Sequence, residues 1–176
     1  ALSSYQNNRD HRKITVIDGH TAFTGGINLA DEYINQVVRF GHWKDTAVML
    51  KGEAVNSFLM MFLQMWNVTE RGREDYGKYL RSQDYFYPAR LKMDGFVMPY
   101  GDSPWDHETV GEYVYLDILN EARNYVHIMT PYLILDSDMI TALTFAAKRG
   151  VEVVILMPHV PDKPYAYLLA RSYYGE

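Results

Sequence analysis

The segment from Val151 to Pro158, VEVVILMP, narrows the fold of this chain more than any other. It is aliphatic and β-branched with one charge, too short for a helix, and closed by proline. A run of this kind, without polar alternation, suits a strand buried on both faces of a parallel sheet. A parallel pair in turn needs a crossover, usually a helix, to bring the chain back. Gly150 stands just ahead of the strand as a helix-closing glycine, and Asp136-Ser137-Asp138 supplies cap candidates for a helix running to Arg149. Before that helix, YVHIMTPYL makes a strand stopped by Pro131. Strand, helix and strand in this order predict an α/β layered fold.

The rest of the chain follows the same alternation. Ile14 to Ile17 and Thr21 to Thr24 read as two strands around a turn at Asp18-Gly19, and Asp45 to Gly52 holds a third. From Glu53, the apolar residues Val55, Phe58, Leu59, Phe62, Leu63 and Trp66 recur with helical spacing, and the methionines among them suit core packing. Thr69 to Gln83 is polar, mixed in charge and read as a surface loop or linker. ARLKMDGFVMPYGD then predicts a strand ending at Pro99, WDHETVGEYVYLDILNEARN a helix, and KPYAYLLARSYYGE a last helix.

Composition limits the partners. A chain of 176 residues, 48% hydrophobic, can fill one core, and a net charge of -5 with a pI near 5.7 exerts no global pull on nucleic acid or an anionic membrane. Any anion must then be held by a local site. Without cysteine there is no disulfide frame or thiolate metal site to propose, and no segment has the roughly 18 uninterrupted apolar residues of a membrane span.

Such a local site is suggested by HRKITVID, His11 to Asp18. Strand side chains alternate, so His11 and Lys13 project from one face while Arg12 and Ile14 take the other. Two bases on one face can meet one phosphate. Asp18 has the opposite parity and lies by the turn, where a structural role or a contact around the bend suits it better than direct chemistry. Gly25-Gly26 and Asn28 follow, allowing close backbone approach and an amide to hold an oxygen. A nucleophile, a positive charge and uncrowded hydrogen-bond donors are together what a reacting phosphate requires.

His-x-Lys-x4-Asp followed by Gly-Gly-x-Asn resembles the HKD signature of the phospholipase D superfamily. The first part alone arises by chance in roughly one chain of this length in a hundred, and the glycine pair and Asn28 at the expected offset make it specific. His42-Trp43-Lys44 repeats the opening, but position 49 is methionine, and no other histidine begins even His-x-Lys. The similarity extends through NNRDHRKITVIDGHTAFTGGINLADEY, FGHWKDT, YVHIMTPYLILD and PDKPYAYLLARSYYGE to the bacterial cardiolipin synthase branch.

The resemblance implies a layered phospholipase D-like fold, with a mixed or mostly parallel sheet flanked by helices, built from two HKD half-domains that face each other. Residues 1–68 would be the C-terminal part of the first half-domain, 69–89 a loop or linker, and 90–176 the start of the second half-domain without its motif. On this reading the chain is truncated at both ends, and its exposed sheet edges invite pairing with another copy.

The implied chemistry is phosphatidyl transfer. His11 would attack one phosphatidylglycerol to release glycerol, and a hydroxyl of a second would displace the phosphatidyl-histidine, giving cardiolipin. Lys13, Gly25, Gly26 and Asn28 would hold the phosphate, with no metal and no cofactor, and the second HKD half of the parent chain would supply the histidine that protonates the leaving alcohol. In phospholipase D-like folds a carboxylate at the head of the strand after the glycine pair orients the nucleophile, and Asp45 in WKDT occupies that place; pairing with Lys44 or capping a turn is its alternative. The resemblance thus implies a catalytic set of His11, Lys13, Asp18 and Asp45, phospholipid substrates, and a parent protein at the cell membrane with this domain facing the cytoplasm. Tyr132 in TPYL matches a family position near the site, though among 15 tyrosines a packing or interface role fits equally. His107, His127 and His159 have no ligand spacing. Two other classes stay open: a nuclease of the same superfamily, against which the acidic balance argues, and a non-catalytic half-domain.

Overall fold

The computed structural model describes residues 10–69, 72–80, 95–103 and 107–176. The chain divides into two compact units, Ala1–Val37 with Trp43–Tyr100 and Val38–His42 with Gly101–Glu176.

In the first unit, strands β1 (Ile14–Ile17), β2 (Thr21–Gly25) and β3 (Ala47–Lys51) form an antiparallel sheet in chain order, with Ile14 opposite Thr24 and Gly25 opposite Ala47. The first connection is a tight turn with Asp18 at φ 52° and Gly19 at φ 67°, closed by the His20 N–H on the Ile17 carbonyl at 3.2 Å. Positive φ at both central residues matches the strand twist, which is why Asp-Gly stands there. Helix α1 (Ala54–Thr69) lays Val55 and Phe58 on Ala22, Ile14, Val16 and Leu50. Phe62 and Trp66, expected on the same buried stripe, are 47% and 44% exposed and stack on each other at 6.0 Å. Leu59 and Leu63 of the same stripe are buried.

Of the predicted loop, residues 70–71 and everything from 81 lie outside the described residues; 72–80 form one short helical turn, Tyr76–Lys78, tied to α1 by the Asn67 amide, which accepts the Glu74 N–H at 2.9 Å. The strand predicted to end at Pro99 is not formed in 95–103, where Phe96, Val97 and Met98 are exposed without a ladder; its earlier residues lie outside the described ones.

The second unit holds α2 (Val110–Glu121), β4 (Tyr125–Met129), α3 (Ser137–Lys148), β5 (Glu152–Leu156) and α4 (Pro164–Ser172). β4 and β5 pair in parallel, Val126 with Val153 and Ile128 with Ile155, through the α3 crossover. Leu119, Val126, Leu143, Ala146 and Val151 make the core. The expected double burial of β5 is not seen: Leu156 is 53% exposed and Glu152 pairs with His127 at 3.4 Å on the uncovered face. Among the described residues the core helices cover one face of this pair. Asp136 caps α3 by accepting the Met139 N–H at 2.8 Å, and Gly150 closes it at φ 92°. Arg149 donates to the Asn120 and Leu119 carbonyls at 2.6 and 2.7 Å, satisfying the C-terminus of α2, while Asp102 accepts the Gly111 N–H at its start.

Candidate active site

Antiparallel register decides which motif residues can meet. With Ile14 opposite Thr24 and Gly25 opposite Ala47, the lead-in to β1, the exit of β2 and the entry of β3 all lie at one end of the sheet. That end carries His11, Lys13, Gly25, Gly26, Asn28 and Asp45. Asp18 sits at the other end of β1, in the turn, where it supplies the first positive-φ residue of Asp-Gly. Tyr132 belongs to the second unit.

The strand begins at Ile14, one residue after Lys13, so His11 to Lys13 form its approach and not its first rungs. Arg12 is committed. Its guanidinium grips Asp10 through Nε and Nη2 at 2.9 and 2.8 Å, and the Arg12 N–H donates to the same carboxylate. That bonding holds the Asp10 carboxyl below its ordinary range, against the opposing effect of burial, and raises Arg12 in return. His11 and Lys13 are left for other work: the Lys13 ammonium donates to the His11 carbonyl at 2.6 Å, and among the described residues neither His11 ring nitrogen has a hydrogen-bond partner. The Asn28 side-chain amide is likewise uncommitted among the described residues.

The glycine pair proves to be required by packing. A Cβ on Gly25 would strike the Thr46 carbonyl oxygen and Cα of Ala47, and one on Gly26 would strike the Asp45 carboxylate. The two glycines therefore let the entry of β3 close over the exit of β2, a contact sealed by the Gly26 N–H on the Thr46 carbonyl at 3.0 Å. Asp45 lies against this backbone. Its Oδ1 accepts the Thr46 N–H at 2.8 Å and its Oδ2 the Trp43 indole N–H at 3.2 Å; among the described residues no hydrogen bond joins it to His11. Among the described residues it forms no salt bridge to Lys44, and Asp45 stands as a carboxylate with a donor on each oxygen at the same end of the sheet as the two bases. The residues that sequence reasoning passed over here are Asp10 and Trp43. Asp10-x-Arg12 is a charge pair at strand spacing and could have been read; Trp43 acts through a loop and could not.

In the second unit, Tyr132 is built into a cluster at the carboxyl ends of the parallel strands. Its hydroxyl donates to Asp162 Oδ2 at 2.5 Å and the Lys163 ammonium lies 4.7 Å from its ring centroid. Burial, then the bond to Asp162, raises the phenol above its ordinary value. Among the described residues no three His, Cys, Asp or Glu side chains cluster as a metal site would need.

Residues 115–176 match the family described as "Cardiolipin synthase, PLD-like domain". Over 172 residues the chain is 37% identical to a cardiolipin synthase of Alkalihalophilus pseudofirmus, covering 97% of this chain and 33% of that protein, and over 180 residues it is 38% identical to cardiolipin synthase 2 of Bacillus cereus, covering 99% and 33%. It is 61% identical over 173 residues to an uncharacterized protein of Streptococcus mutans, 98% of this chain and 36% of that one. The chain thus spans about a third of the length of the curated relatives it matches. No solved structure matches it.

Proposed function

We propose that this chain, which is similar to cardiolipin synthases along its length and matches a phospholipase D-like domain over residues 115–176, is part of such an enzyme and supplies the nucleophilic half of a phosphatidyl-transfer site. The observation that carries the reading is the convergence of His11, Lys13, the glycine pair, Asn28 and Asp45 at one sheet end, with the His11 ring and the Asn28 amide uncommitted among the described residues.

In the first step a ring nitrogen of His11 attacks the phosphorus of one phosphatidylglycerol. An N–P bond forms, the P–O bond to glycerol breaks, and the leaving alkoxide takes a proton from the histidine of a second His-x-Lys motif elsewhere in the full-length protein. In the second step a hydroxyl of another phosphatidylglycerol gives its proton back to that histidine and attacks phosphorus, breaking the N–P bond and releasing cardiolipin. Lys13 and Asn28 hold the non-bridging oxygens throughout. Imidazole attacks through one nitrogen only if the other carries a proton held by an acceptor, and Asp45 takes that part when substrate draws His11 into place; catalytic hydrogen bonds are often open before substrate binds. Residues 1–68 then complete the first half-domain and 90–176 open the second. Membrane attachment, with this domain on the cytoplasmic side, comes from the rest of the protein.

The test is a chimera in which this chain replaces the matching third of the A. pseudofirmus cardiolipin synthase, assayed on phosphatidylglycerol vesicles by mass spectrometry. Cardiolipin with equimolar glycerol, abolished by His11→Ala, is the expected outcome. Phosphatidic acid as the only lipid product would identify a hydrolase and overturn the transferase reading.

A further inference from the structure

The two donors on Asp45 differ in origin. The Thr46 N–H is its immediate neighbour in the chain and fixes only Oδ1. The second donor arrives on a side chain whose own position is secured from elsewhere. Asn35, eight residues earlier, clamps the backbone of Trp43 from both sides: its Oδ1 accepts the Trp43 N–H at 2.6 Å and its Nδ2 donates to the Trp43 carbonyl at 2.8 Å. Asn35 does this from φ 61°, a left-handed conformation that asparagine adopts more readily than most residues. The aromatic ring of Tyr33 meets the indole edge-on, with centroids 4.9 Å apart and planes at 72°. The indole is thus set by a backbone clamp below and a ring contact beside it before its N–H reaches Oδ2 at 3.2 Å.

A carboxylate with one fixed oxygen can still turn its plane. With both oxygens bonded to fixed donors it cannot, and each oxygen keeps a second lone pair for another donor. The packing of the carboxylate against Gly26 closes the remaining direction.

From this geometry we infer that Trp43 is a positioning residue: its indole N–H, anchored through Asn35 and Tyr33, holds the Asp45 carboxylate in the plane from which it accepts the imidazole N–H of His11. The catalytic half of this statement rests on the orienting role proposed for Asp45.

The test has two arms. In the ¹⁵N-labelled 176-residue chain, the Trp43 indole resonance is followed from neutral to acid pH. It should move as a carboxylate is protonated, and Asp45→Asn should abolish that titration; an indole resonance indifferent to pH, or titrating unchanged in Asp45→Asn, overturns the contact. In the chimera, Trp43→Phe keeps a ring but removes the N–H. It should lower kcat by roughly 10- to 100-fold with KM within about twofold, and cost less than about twofold once Asp45 is already asparagine. The full Trp43→Phe penalty repeated in the Asp45→Asn background would overturn the positioning role while leaving the orienter reading standing. An Asp45→Asn chimera of full activity would remove the orienter reading, and the positioning role with it.

Discussion

Gly26 gives the Asp45 carboxylate the space that any side chain at position 26 would fill. Gly26→Ala should push Asp45 off its two donors, because the methyl meets the carboxylate itself. Gly25→Ala is the harsher change: its methyl meets the Thr46 carbonyl and Ala47 Cα, backbone that no rotamer change can move aside. We expect about 1–3 kcal/mol lost for Gly26→Ala and more for Gly25→Ala, measured by denaturant unfolding of the chain. Equal costs at the two positions would mean that Asp45 is as immovable as the backbone.

The Asp10–Arg12 pair sets an acid limb on stability. The bond to Arg12 lowers the folded Asp10 pKa, so its contribution is fully present above the unfolded carboxyl value near 3.8 and is lost as pH falls through the depressed folded value. Both side chains are 32% exposed, and the pair contributes well under about 1 kcal/mol after solvent screening. Asp10→Asn should therefore leave stability at pH 7 nearly unchanged and flatten its decline in acid, read from urea midpoints across the two ranges.

Much of this architecture was legible because local chemistry and tertiary packing agree. Asp136 and Gly150 bound α3 as cap chemistry requires, and Asp18-Gly19 makes the turn that its residues favour. Helical periodicity puts Phe62 and Trp66 on a buried face and an unbroken apolar run does the same for Leu156, but an apolar pattern does not report whether another element lies over it. At the candidate site, His11, Lys13 and the glycine pair are contiguous enough to read. The Trp43 contact to Asp45 depends on a clamp from Asn35 whose partner is set by loop conformation, and loop conformation has no period.

Tyr132 ties the segment after β4 to the segment after β5. Tyr132→Phe removes the hydroxyl from Asp162 while leaving a ring beneath the Lys163 ammonium. A hydrogen bond to a charged group is typically about 1.5–3 kcal/mol, and the half-exposed setting places the expected cost at the low end. The phenol is raised in the folded state, so its contribution is fully present below the ordinary value near 10 and lost as pH climbs through the raised one. Thermal midpoints of the wild type and Tyr132→Phe should accordingly converge in strong alkali; a gap that persists there would assign the loss to packing.

The 176-residue chain on its own should not turn over phosphatidylglycerol. His11 and Lys13 offer a nucleophile and one clamp, but the departing glycerol needs a proton, and the sequence holds no second His-x-Lys-x4-Asp, since His42-Trp43-Lys44 is followed by Met49 where the aspartate would stand. Two copies could in principle face their single motifs, and the exposed β-edges would favour such pairing. Each copy, however, would bring residues 90–176, which the family resemblance assigns to the opening of the other half-domain, without the motif that completes it. Adding the separately expressed remainder of a cardiolipin synthase should restore some activity, and His11→Ala in this chain should remove it. Sustained cardiolipin synthesis by the purified chain alone, unaffected by dilution, would overturn the requirement for a second histidine.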